Sequence, residues 1–178
     1  LEIYVQFRGP IRSTTERPFG AVTSVAAGAG EIYLTDGGAH RIDVMDTAGV
    51  MVRSIRLIRE NEPVTERGIE QYISQRSQTR AFRSAVGSGS PADLPFPEVY
   101  PSLSQLVLDP LGNIWAKEYL SPEGVHRSWH VHDRQGEWLG RIEMPAGLRV
   151  FEIGTDYILG LFFGAEGVGQ VRLYDLKR

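Results

Sequence analysis

The chain of 178 residues contains no cysteine, so neither disulfide nor thiolate chemistry is open to it. No apolar run approaches the ~20 residues that a membrane-spanning helix needs; the longest, around Tyr157 to Phe163, is interrupted by Gly160. An excess of positive charge is also missing. The net charge is −3 and the pI near 5.8, which argues against phosphate-backbone binding as a main function and so against nucleic acid as a partner. Asparagine occurs only at Asn61 and Asn113, too few for a metal site built from Glu, Asn and Asp on several repeats. The chain starts at Leu1 with neither an initiator Met nor a basic-then-apolar leader, and the expectation is that upstream sequence is missing.

Hydrophobic residues at 42% and charged residues at 23% are ordinary for a soluble globular domain. A chain of this length buries roughly 70% of its unfolded surface. One pattern recurs three times. Gly30 to Asp36 is followed by Ile42 to Gly49 and Val52 to Leu57; Gly112 to Glu118 by Trp129 to Gly136 and Trp138 to Met144; Thr155 to Leu161 by Val171 to Asp175. Each is a run of period two, a turn, and a second run ending on Asp. Asp accepts bonds from its own downstream backbone and Gly takes the positive φ of the turn. Asp109-Pro-Leu-Gly112 is the same device. Asp133 and Asp175 are 42 residues apart and Asp46 and Asp133 are 87 apart; the blade of a β-propeller takes roughly 40–50. The fold class expected is therefore all-β, a partial β-propeller of about three antiparallel meander blades in a single domain, 1–178.

The interval 59–100 lacks alternation and reads as an insertion. Ile69, Tyr72, Ile73 and Arg76 fall at helical spacing between Thr65 and Phe82, with Thr65-Glu66 as the helix start. Loop and proline-rich segments follow at Val86 to Pro91 and Leu94 to Pro101.

Certain stretches resemble a bacterial six-bladed β-propeller family related to NHL-repeat proteins, over about Phe19 to Arg178 and best in that family's C-terminal half. They are Arg53-Ser-Ile-Arg56 with Glu62-Pro-Val-Thr65, Tyr100-Pro-Ser-Leu103, Leu108 to Trp115, Trp138 to Arg141, Leu148-Arg-Val150 and Glu152 to Gly160. The resemblance implies an exported, extracytoplasmic (periplasmic) protein peripheral to a membrane, with a binding role and no catalytic residues to carry over. His130 and His132 depart from it, standing where an acidic and an aromatic residue are usual.

Chemistry-bearing clusters are sparse. His130 and His132 share a strand face, with His126 across a turn, but no carboxylate or Cys supports them, and they are read as surface histidines on a solvated face opposite Trp129 and Val131. Asp36 with Asp43 and Asp46, and Glu152 with Asp156, have structural roles available. No nucleophile elbow or phosphate loop is present. Arg76, Arg80 and Arg83 fall on one helical face that suits anionic lipid, an acidic partner or plain solvent. The reading is a non-enzymatic binding or scaffolding module without cofactor, metal or catalytic residue. It would be a membrane-extrinsic subunit held by protein partners in a larger assembly; its sharpest form is a bacterial photosynthetic reaction-centre and antenna complex. Partner contacts are assigned to Leu1, Ile3, Val5, Phe7, Trp138, Phe162 and Phe163. A metal-dependent hydrolase or lactonase propeller and a sugar- or peptide-binding propeller sensor are the alternatives.

An unclosed propeller arc leaves blade faces bare and edge strands unpaired, beginning with Leu1 to Phe7. Covering one face of about 500 Å² would be worth roughly 12 kcal/mol at ~25 cal/mol per Å², an upper bound. The isolated chain is therefore expected to self-associate or aggregate in light scattering. A monomer with a sharp thermal transition would count against partner dependence.

Overall fold

The computed structural model describes residues 2–8, 11–57, 59–87, 89–124, 127–145, 147–164 and 167–177, with residues 3–8 and 11–15 by their backbone. It is an all-β arrangement of antiparallel meanders. A hairpin of β1 (Ile3–Arg8) and β2 (Ile11–Glu16) comes first. A four-stranded sheet follows: β3 (Ser24–Gly28), β4 (Glu31–Thr35), β5 (Arg41–Asp46) and β6 (Met51–Arg56). The second sheet has β7 (Leu103–Leu108), β8 (Ile114–Glu118), β9 (Arg127–His132) and β10 (Trp138–Met144). The third has three strands, β11 (Leu148–Ile153), β12 (Tyr157–Phe163) and β13 (Gly169–Asp175). Strands are adjacent in chain order within every sheet, as in successive propeller blades.

Each sheet's first strand lies against the first strand of the next, β3 on β7 and β7 on β11. Leu106 N donates to Ser24 Oγ at 2.8 Å, and Gln105 Nε2 to the Val150 carbonyl at 3.4 Å. These inner strands were not anticipated from sequence. Burial alternates along β3 and the start of β11 but not along β7, where Ser104 and Gln105 are adjacent half-buried polar residues. Leu1 lies outside the described residues, and β1, expected as a bare edge, is paired along one side with β2.

Strands β8 and β9 of the second sheet are buried on both faces, while β10 at its edge is largely exposed. Ile114 and Ala116 on one face join Tyr33, Ile42, Val44, Ile55, Leu103 and Leu106. Trp115, Trp129 and Val131 on the other join Met144, Leu148, Val150, Ile153 and Ile158. Trp115 and Trp129 are 2% and 1% exposed, large flat side chains filling the gap between two sheets.

The Asp-to-Gly turns perform as their chemistry requires. Asp46 Oδ1 accepts from Ala48 N and Val50 N at 2.9 Å, and Asp133 Oδ1 from Glu137 N at 2.8 Å; the glycines that follow have φ of +79° and +96°. Outside the core, Arg53 pairs bidentately with Glu31 at 2.5 and 3.0 Å and donates to the Arg134 carbonyl at 2.9 Å. Arg134 in turn donates to Glu31 and to the Ala29 carbonyl. This clamp ties the first sheet to the β9–β10 turn.

The insertion carries two helices where one was expected, α1 (Glu66–Arg76) and α2 (Arg80–Val86), then a 3-10 turn at Pro91–Asp93. Thr65 Oγ1 caps α1 by accepting from Gly68 N at 2.9 Å, and Thr79 Oγ1 caps α2 from Phe82 N at 3.2 Å; the second cap ends the single-helix reading. A Cβ on Gly68 would stand 1.9 Å from the Tyr100 hydroxyl, so only glycine admits that packing. Tyr100, Tyr72 and Phe96 surround Phe19 at ring distances of 5.0, 4.9 and 5.4 Å.

Asp109 gathers four bonds: from Leu111 N, Asn113 N and Asn113 Nδ2, and from buried Trp115 Nε1 at 3.1 Å. Asp109→Ala would strand the indole N–H inside the core and undo the turn. The expected cost is about 2–4 kcal/mol, read as a fall in the urea midpoint; a loss under about 1 kcal/mol would show that the turn holds without it.

Candidate functional site

The alternation of β8 and β9 decides what lies between the first two sheets. Ala116 pairs with His130 and Ile114 with His132, so both histidines and Glu118 share the face turned toward the first sheet. His132 is 5% exposed and the His130 side chain 21%. The surface-histidine expectation is thus corrected: Trp129 and Val131 do face the other way, but both faces are covered. His126 lies outside the described residues. Among the described residues no three His, Cys, Asp or Glu side chains gather as a metal site.

A chain of hydrogen bonds crosses this face. Exposed Trp138 donates its Nε1–H to His130 Nδ1 at 3.3 Å, and His130 Nε2 donates to Glu118 Oε1 at 2.6 Å. Arg59 donates to the same carboxylate oxygen and, at 2.8 Å, to Glu62. The His130 bond above all, with the positive charges of Arg59 and Arg141, holds Glu118 down to about 2 against the opposing effect of burial. With both nitrogens engaged, His130 offers no spare base as it stands.

The tautomers of the other two histidines follow from their partners. Asn61 Nδ2 donates to the carbonyls of Gly38 and Tyr100 at 2.8 and 2.7 Å, so its Oδ1 faces His40 and accepts from Nδ1–H at 3.0 Å. His132 Nδ1–H donates to the Gly136 carbonyl at 3.2 Å. Each ring therefore keeps Nε2 as an acceptor. His132 Nε2 is buried with no hydrogen-bond partner among the described residues. Burial pushes the proton affinity of both rings down.

These groups line a cavity of about 440 Å³ whose walls also include Arg56, Leu57, Leu103 and Gly136. A smaller polar cleft of about 160 Å³ shares His40, Arg59 and Glu118 with it and continues to Tyr119, Ser128 and Arg141. Two other cavities lie elsewhere. One of about 570 Å³ runs under the insertion beside Phe19, Tyr72, Phe82 and Arg76. One of about 400 Å³ lies between Ala27, Leu108, Arg134 and Glu152. The inter-sheet cavity combines apolar walls at Leu57, Leu103 and Trp138 with three histidines, Glu118 and two arginines.

The remaining candidates are dispersed. Ile3, Val5 and Phe7 lie on β1. Phe162 packs against the Trp115–Trp129 core beneath the Arg172 guanidinium, 3.8 Å from its ring centre, whereas Phe163 is half exposed. Asp36 accepts from Gly38 N and Ala39 N, Asp43 from Ser54 Oγ, and Glu152 from the Tyr157 hydroxyl. Arg76 closes α1 over the Tyr72 ring while Arg80 and Arg83 belong to α2, so the three do not form one helical face. His40 and Asn61 were missed as site residues; no spacing links them to His130, and only the meeting of two sheets does.

No family model matches the chain and no curated protein matches it. Among solved structures it is similar to a streptogramin B lyase, with 16% identity and a TM-score of 0.38 over 99% of this chain and 46% of that one. It is also similar to a luciferin-regenerating enzyme, with 12% identity and a TM-score of 0.41 over 93% of this chain and 47% of that one. The chain spans about half the length of these structures. The expectation of a non-enzymatic chain is overturned by these names: both neighbours are enzymes, so propeller likeness gives no ground for excluding catalysis. At such identities no activity passes from them to this chain. Neither name speaks of a scaffold, a photosynthetic assembly or a periplasmic location, and no helix among the described residues is long and apolar enough to cross a membrane.

Because Glu118 and Glu31 are both held at about 2 against an ordinary 4.5, their stabilisation is complete above pH 4.5 and is lost as pH falls toward 2. Glu118→Gln is expected to flatten the fall of the thermal midpoint between pH 4.5 and 2. An unchanged slope would mean that the carboxylate is not held by His130 and Arg59.

Proposed function

We propose that this chain is a propeller-type binding domain that takes a small organic molecule into the cleft between its two four-stranded sheets. The observation that carries the reading is a cavity of about 440 Å³ between the sheets, where Leu57, Leu103 and the Trp138 indole meet His130, His132 and Arg56. Sites of this size, mostly apolar with a few placed polar groups, are the usual form of small-molecule pockets.

A second reading keeps the protein-docking role. Strand β13 has no outer neighbour among the described residues, where the other two meanders have a fourth strand. It presents Val171 and Leu173, 72% and 61% exposed. A protein strand added along β13 would complete the sheet. In this reading the chain is a membrane-extrinsic, extracytoplasmic subunit, and a photosynthetic assembly is its narrowest form, supported only by the resemblance read from the sequence.

The test of the cleft is a screen of small aromatic and alicyclic compounds by NMR on the full chain. Binders are expected to shift resonances of Trp138, His130 and Leu57 together, and Trp138→Ala to weaken them about tenfold or more, the loss of an aromatic anchor. Shifts confined to Phe19, Tyr72 and Phe82 would move the site to the insertion and overturn the reading.

A further inference from the structure

Apart from the inter-sheet cleft, we infer that the cavity beneath the insertion takes an aromatic carboxylate, its ring among Phe19, Tyr72 and Phe82 and its carboxylate on Arg76 and the Tyr119 hydroxyl. The cavity measures about 570 Å³, and its walls come from four parts of the chain. Phe19 follows the first hairpin, and Tyr72 and Arg76 stand one turn apart on α1. Phe82 and Ala85 are the buried residues of α2, and Tyr119 lies just beyond β8. Phe19 meets Tyr72 edge-on with ring centres 4.9 Å apart, and Tyr72 meets Phe82 at 6.1 Å. A flat ring packs well against such an edge-to-face wall.

Charge selects the kind of ring compound. Of the charged lining residues, Glu2 is held by Arg17 at 3.1 Å, and Arg17 also donates to the Pro95 carbonyl at 2.9 Å. Arg76 and Glu16 are left, both exposed and neither ion-paired among the described residues. The Arg76 guanidinium stands 5.3 Å over the Tyr72 ring, which holds it at the aromatic wall. Arg80 and Arg83 on α2 have no ion-pair partner among the described residues either. Among the lining residues and α2, one uncompensated acid thus faces three uncompensated arginines, and the field favours an anion.

Tyr119 supplies the second donor. Its hydroxyl has no hydrogen-bond partner among the described residues and is not among the side-chain atoms sealed from water. Burial above all, with the phenols of Tyr100 and Tyr72, pushes it up to about 12, while the charge of Arg76 opposes the shift. It therefore keeps its proton at pH 7, and the pull of Arg76 places both donors on the same part of the wall. A guanidinium and a hydroxyl bind a carboxylate through charge-assisted hydrogen bonds, stronger than any they would give a neutral acceptor. Ser84 offers a further hydroxyl on an exposed side chain.

The experiment titrates the full chain with 2-naphthoate, 2-naphthamide and 2-naphthylmethylamine, which share two rings and differ in charge. Affinity is read by calorimetry and place by side-chain resonances. The expected result is that 2-naphthoate binds about fivefold or more tighter than either other probe and shifts Phe19, Tyr72 and Phe82. Arg76→Gln and Tyr119→Phe are each expected to remove most of that preference. The second variant deletes an oxygen that bonds nothing in the chain, so it decides the matter even where the first fails to fold. Equal binding of the amide, with the same resonances shifted, would overturn the assignment of charge. Tighter binding of the amine would give the choice to Glu16 and overturn it too. Shifts from all three probes confined to Trp138, His130 and Leu57 would overturn the insertion site and leave the cleft standing. Insertion shifts from the acid alone support the present site and leave the cleft to its own screen.

Discussion

The central strands β8 and β9 of the second sheet have almost no face left for water, and most of what is distinctive in this chain follows from that constraint. In a meander of period two, every strand must send its side chains to two sides. Where neighbouring sheets cover both sides, each side becomes core. Trp115 and Trp129 fill one gap, and Ile114, Ala116, His130 and His132 are forced into the other. Polar groups placed there must be satisfied within the protein.

The inter-sheet cleft is how the chain meets that requirement in part. Glu118 is paired with His130 and Arg59 rather than buried alone, and Asn61 stitches His40 to two backbone carbonyls. These bonds are long-range in sequence: Arg59 reaches Glu118 across the whole insertion, and Asn61 bonds the carbonyl of Tyr100 at its far end. The helical insertion is therefore anchored at its base to the cleft, and the strap carrying Leu57, Arg59 and Asn61 forms the cavity's wall. Satisfaction is incomplete at His132 Nε2, as it is among the described residues at Arg53 Nε, Gln71 Oε1, the Tyr100 hydroxyl and Arg127 Nε.

The outer elements obey a looser rule. The third sheet buries one face against Trp115 and Trp129 and presents Val171 and Leu173 on its outer strand. Here the structure sets geometry without choosing an occupant.

The strands of strong alternation and their turns were legible in the sequence because their causes are local. Gly30 to Asp36, Gly112 to Glu118 and Thr155 to Leu161 alternate, and the Asp-to-Gly pairs at 46/49, 109/112 and 133/136 carry their own turn chemistry. The insertion was legible for the same reason, through helical spacing after a Thr cap and the loss of alternation. The inner strands β3, β7 and β11 were not, because polar residues such as Ser24 and Gln105 stand in them, with partners that lie on the next sheet. The site was half visible: His130 and His132 stood out as two histidines on one face, but whether that face met water or another sheet is not a property of the strand. Sequence alone thus determined the meanders and the sidedness of their residues. Only the tertiary stacking decided that the histidine face is buried and joined it to His40 and Asn61, since burial and hydrogen-bond satisfaction depend on neighbours that the local chain does not specify.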